Sequence, residues 1–129
     1  MQLSLKILAT LLTLIFFALG LSAFLSPASA LAGPAFAWVP DGIAGLSAGR
    51  GILGGQYLAL GLVAAYALIK SDYRLLYVPA LSECMIVLGR LLSLGLDGFD
   101  ERSLVPLLVE VFIAVGMFCA AKFLQPKAE

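Results

Sequence analysis

Apolar residues run in four long stretches, each bounded by charge, proline or glycine, and this pattern predicts four membrane-spanning helices. A bilayer core of about 30 Å needs roughly 20 apolar residues per helix, the length of each stretch. The first helix is expected over residues 7–25 (ILATLLTLIFFALGLSAFL), without a charge and ending before Ser26-Pro27. The second covers residues 51–69, between Arg50 and Lys70. The third, residues 75–96, contains Pro79, Glu83 and Arg90. The fourth, residues 104–124, carries Pro106 in its first turn, where the missing N–H costs little, and Glu110 deeper in. No alternating strand pattern competes, so the fold class is an all-α, integral membrane four-helix antiparallel bundle, a single domain over residues 1–129.

Residues 26–49 are rich in Ala, Gly and Pro and too short to span twice. They read as an interfacial loop with a short surface helix anchored by Phe36 and Trp38, or more sharply as a lid over a cavity. Met1 to Lys6, the apolar run and Ala28-Ser29-Ala30 also fit a signal peptide with its cleavage site. A run of about 19 residues exceeds the usual signal core of roughly 7–15, so the stretch is expected to stay as the first helix.

Composition agrees, since 62% of residues are hydrophobic and 12% charged, against about 25% charged in soluble domains. Eight basic and eight acidic residues leave no positive surplus for nucleic acid. Without histidine, and with only Cys84 and Cys119, the chain lacks the parts of a His-bearing zinc site, a Ser-His-Asp triad or a disulfide scaffold. It calls for no metal and no cofactor. With alternating helices, Lys6, Lys70, Arg74, Lys122 and Lys127 fall on one side and Arg50 and Arg102 on the other. The positive-inside rule then puts both termini in the cytoplasm.

Charges inside the spans carry the candidate chemistry, because each costs about 2.5–3.5 kcal/mol near mid-bilayer and should be paired or face a cavity. At 1.5 Å per residue, Arg90 lies about 22 Å and Glu110 about 21 Å above the cytoplasmic end, level enough to pair. Arg50 and Asp97 share an outer level and are expected to form a second ion pair. Glu83, seven residues before Arg90, projects from nearly the same face. With Gln56 and Tyr57 of the second helix, these residues predict an inward polar layer: Gln56, Tyr57, Glu83, Arg90 and Glu110. The layer either locks helix register through hydrogen bonds or forms a ligand or proton site. Any ligand is expected in the outer half, touching Gln56, Tyr57, Arg90 and Glu110.

Small residues in the second helix, Gly51, Gly55 and Ala59 at every fourth position with Gly54 and Gly61 alongside, suggest close helix packing, within the bundle or between protomers. Cys84 and Cys119 read as packing thiols, and Tyr66, Tyr73 and Tyr77 as interfacial anchors.

Phe24-Leu25-Ser26-Pro27, Arg50-Gly51-Ile52-Leu53-Gly54-Gly55, Gly89-Arg90, Asp97-Gly98 and Glu110 stand in the order and spacing of a known pattern. It resembles the bacterial four-helix membrane family catalogued as domain of unknown function 4345. Its build is similar to the DoxX-like small four-helix proteins, some of which are linked to quinone and sulfur redox chemistry. The resemblance implies the fold and a bacterial inner membrane location, and no activity. The residues hold no complete catalytic set, which favours a non-catalytic packing or accessory protein acting through lateral contacts with the bilayer, a membrane protein partner or another copy of itself. The alternative is a binder or redox partner of a lipid- or quinone-like molecule beside Arg90.

Overall fold

The computed structural model describes residues 2–125. Lys127, counted above among the cytoplasmic charges, lies outside them. Six α-helices follow in order: α1 (Gln2–Leu25), α2 (Pro27–Ala32), α3 (Gly42–Ala48), α4 (Gly55–Lys70), α5 (Tyr77–Leu96) and α6 (Leu104–Phe123). A π-helical segment, Gly49–Gly54, joins α3 to α4, and single 3-10 turns, Tyr73–Leu76 and Glu101–Ser103, precede α5 and α6. Four continuous helical stretches are long and apolar enough to cross a membrane: Gln2–Leu25, Gly42–Lys70, Tyr73–Leu96 and Glu101–Phe123. They form an antiparallel four-helix bundle, a multi-pass membrane protein that exposes many Leu, Ile, Val and Phe side chains of the kind that a lipid environment accepts.

The stretch expected as a loop over residues 26–49 is largely helical. Pro27 opens α2, where its missing N–H is harmless, and Gly42–Lys70 runs as one helical stretch nine residues longer at its start than residues 51–69. Ala and Gly do not signal a span by hydropathy, which is why this extension escapes a reading based on apolar runs. Phe36 is buried rather than interfacial, and Tyr73 is also buried, with Lys6 Nζ 5.8 Å from its ring centroid. Of Tyr66, Tyr73 and Tyr77, Tyr66 alone is broadly exposed.

Packing is tight at the end of the bundle that holds the N-terminus. Ala9, Leu12, Phe16, Ala64, Ala67, Leu76, Ala80, Met117 and Ala120 are fully or nearly fully buried there. Small residues let the backbones approach. A Cβ on Gly20 would stand 2.7 Å from the Leu58 backbone nitrogen, and one on Gly116 would stand 2.6 Å from Leu12 Cδ1. At the opposite, distal end Gly54 meets α1, its Cβ position 2.8 Å from Phe24 N; nearer the middle of the bundle Gly61 lies against Phe16 and Phe17.

The expected packing stripe of Gly51, Gly55 and Ala59 does not join helices of the bundle. Gly51 and Ala59 are exposed, a Cβ on Gly51 would meet nothing within 4 Å, and one on Gly55 would approach only the Arg50 carbonyl at 3.9 Å. The π segment causes this difference from the sequence spacing. Gly55 N–H bonds back to Arg50 O, five residues earlier, so positions four apart across this turn no longer stack on one ridge. The face that meets α1 carries Gly54 and Gly61 instead.

Candidate functional site

The distal end holds the polar residues. Arg90, on α5, donates from Nε to Glu110 Oε2 on α6 at 2.6 Å, joining the two helices where the sequence places them level. Glu110 is buried and Arg90 partly so. Nε is the guanidinium's only hydrogen-bonded atom among the described residues, which leaves its other N–H donors free.

A cavity of about 270 Å³ opens beside this pair. Leu53, Gln56 and Tyr57 of the π segment and α4 line one wall, Ile86 and Arg90 of α5 with Glu110 another, and Phe36 and Trp38 the third. Gln56, Tyr57, Arg90 and Glu110, four of the five residues of the proposed polar layer, thus border a single space. Gln56 also donates from Nε2 to Ser82 Oγ at 3.1 Å, bridging α4 to α5 and leaving the Gln56 carbonyl oxygen as an acceptor.

Glu83 is the exception. It is fully buried on the same face of α5 as Arg90, less than one turn before Ile86, and does not itself line the cavity. Neither carboxyl oxygen finds a hydrogen-bond partner. Thr13 of α1 donates its hydroxyl to the Ala9 carbonyl of its own helix at 2.7 Å, and Thr10 does the same with Lys6.

Phe36 and Trp38 are held over the cavity by local structure. Leu31 of α2 is fully buried against the space that glycine leaves at position 49, and Trp38 lies against the same glycine. Trp38 N–H donates to Leu31 O at 2.8 Å and Ala37 N–H to Gly33 O at 2.8 Å, folding the chain back on α2. Ala37 adopts φ 54° to make this turn, a left-handed conformation that costs a non-glycine residue about 1–2 kcal/mol. Phe36 then packs edge-on against the Tyr57 ring, centroids 5.6 Å apart. The lid reading of this segment agrees with that geometry more closely than the interfacial-loop reading. Trp38 between prolines was the only trace of it in the sequence.

Arg50 and Asp97 do not pair. Arg50 Nε–H donates to the Phe24 carbonyl at 3.2 Å, one of the carbonyls that the last turn of α1 leaves without a helical partner. Asp97 accepts from Ser93 Oγ–H at 2.7 Å within its own helix end. Each group finds a closer backbone or hydroxyl partner than the other, so equal depth is not sufficient. Cys84 and Cys119 are free and half-buried.

The site and fold together define a small multi-pass membrane bundle with a cavity bordered by a few polar side chains and covered by Phe36 and Trp38. Residues 4–121 match the family described as Domain of unknown function (DUF4345), and the chain belongs to that family. No curated protein and no solved structure matches it.

Proposed function

We propose that the protein is a membrane-embedded binding protein for a lipid- or quinone-like small molecule held beside Arg90. In this reading it sits in the bacterial inner membrane with both termini in the cytoplasm, the side to which Lys6, Lys70, Arg74 and Lys122 assign the N-terminal end. The observation that carries the binding role is the cavity that reaches Arg90 and Glu110. Its volume of about 270 Å³ exceeds the roughly 150 Å³ of an apolar cavity that holds benzene, so a single-ring head group fits. Apolar walls with a few convergent polar groups are the usual make-up of a small-molecule site. Packing within the bundle draws less support from Gly51 and Gly55 than their spacing suggested, because a Cβ on either would meet no neighbouring helix. A lateral-contact role retains one supporting feature, the exposure of Gly51 and Ala59 to a possible second copy or partner.

Trp38, the sole tryptophan, lines the cavity and reports on its contents. Titration of the detergent-solubilised protein with methyl 4-hydroxybenzoate, whose hydroxyl and carbonyl match the donors and acceptors present, should change Trp38 emission saturably. The double variant Arg90→Met/Glu110→Leu should lose the response while remaining folded, since replacing both members of a buried pair by apolar groups is often neutral. An unsaturable response, or one unchanged in the double variant, overturns the reading.

A further inference from the structure

Phe36 and Trp38 form the roof of the cavity, and the hydrogen bond from Gln56, another of its lining residues, to Ser82 ties α4 to α5. Helix α1 packs along α4, and α5 along α6, whereas α4 and α5 touch sparsely. Gly89 lies on the α5 face turned to that seam, three residues after Ile86 and seven after Ser82, and a Cβ there would meet nothing within 4 Å. Past Arg90, Leu91, Leu92 and Leu96 are 50%, 65% and 83% exposed, so the distal part of α5 borders the bilayer rather than the bundle.

Charge restricts the head group that the cavity accepts. Arg90 and Glu110 neutralise one another at 2.6 Å. An anionic head would be forced against the Glu110 carboxylate and a cationic head against the guanidinium. An uncharged head carrying both a donor and an acceptor can use the remaining Arg90 N–H groups, the Tyr57 hydroxyl and the Gln56 carbonyl without breaking the pair.

We infer that the cavity is loaded sideways from the bilayer through the α4–α5 seam, and that its occupant is a single-chain amphiphile with an uncharged head, its tail leaving past Gly89. The inference rests on the binding reading above and adds the route and the class of ligand. A lateral route explains why the roof is tied down at both Leu31 and Phe36: the head needs no path through the aqueous face, and the cap can stay closed.

The test compares methyl 4-hydroxybenzoate, decyl 4-hydroxybenzoate and the anion 4-decyloxybenzoate on full-length protein in micelles, read by Trp38 emission, in the wild type and Gly89→Leu. Leucine is a good helix former and the position is open, so the variant should fold, as thermal unfolding in detergent will show. Gly89→Leu should leave the affinity for the methyl ester unchanged and weaken the decyl ester by about tenfold. Because each ester is compared between two proteins, its partition into micelles cancels. The anion should bind about tenfold more weakly than the decyl ester to the wild type. Failure of both esters to bind the wild type overturns the binding reading itself. Binding of both esters with an equal effect of Gly89→Leu, or none, overturns the seam alone, and an anion that binds as well as the decyl ester overturns the uncharged head.

Discussion

Arg90 and Glu110, on different helices and twenty residues apart, meet Nε to Oε2 at 2.6 Å, with the Glu110 side chain 5% exposed and Arg90 26%. The contact both fixes α5 against α6 and places a neutral, hydrogen-bonding pair at the wall of the distal cavity. Breaking it by Arg90→Met or Glu110→Leu alone strands a charge in an apolar medium and should destabilise the bundle by about 3–5 kcal/mol. The double variant should recover most of that loss. Unfolding of all four proteins in detergent measures the coupling, and strict additivity would refute the pairing.

Gly54 and Gly55 should respond oppositely to alanine. A Cβ at Gly54 would press on the backbone of Phe24, which cannot rotate away as a side chain can, so Gly54→Ala should cost about 1–3 kcal/mol. Gly55 has only the Arg50 carbonyl at 3.9 Å, and Gly55→Ala should be neutral or slightly stabilising. Melting temperatures of the two variants check the assignment.

These neighbouring glycines also mark the limit of what the sequence discloses. Span number, the level of Arg90 with Glu110, and the grouping of Gln56 and Tyr57 with that pair followed from hydropathy and helical rise, which depend on position along a helix axis. Which glycine faces a neighbour depends on rotation about the axis, and the π segment at Gly49–Gly54 changes that rotation without leaving a mark in the apolar pattern. Arg50 shows the same limit. Its depth suggested Asp97, whereas its direction leads to the Phe24 carbonyl. The Leu31–Gly49 contact that seats the cap joins residues in an Ala- and Gly-rich stretch with no periodic signal.

Arg50 and Asp97 should therefore act independently. Arg50→Ala removes a donor from the end of α1 and Asp97→Asn weakens a local hydroxyl contact. Their effects on stability should add to within about 0.3–0.5 kcal/mol, the tolerance for unconnected sites. Coupling well beyond this in a double-mutant cycle would restore the ion pair.

Asp100 opens the turn before α6, accepting from the Arg102 backbone N–H at 2.9 Å and from its guanidinium. The backbone bond first, then the side-chain bond, holds the carboxyl below its ordinary value, so its contribution is present above that value and lost as pH falls through the lowered one. Arg102→Ala should raise the Asp100 titration midpoint toward an ordinary carboxyl, as followed by carboxyl-carbon NMR. An unchanged midpoint would show that the side-chain contact has no influence.

The proposed occupant of the cavity beside Arg90 is a small molecule taken from the membrane. Native mass spectrometry of the protein extracted in mild detergent addresses it directly. The wild type should carry a non-covalent small-molecule adduct, and Arg90→Met/Glu110→Leu, folded but without the polar wall, should appear at its bare mass. A bare wild-type mass, or an adduct that the double variant keeps in equal measure, would contradict the account.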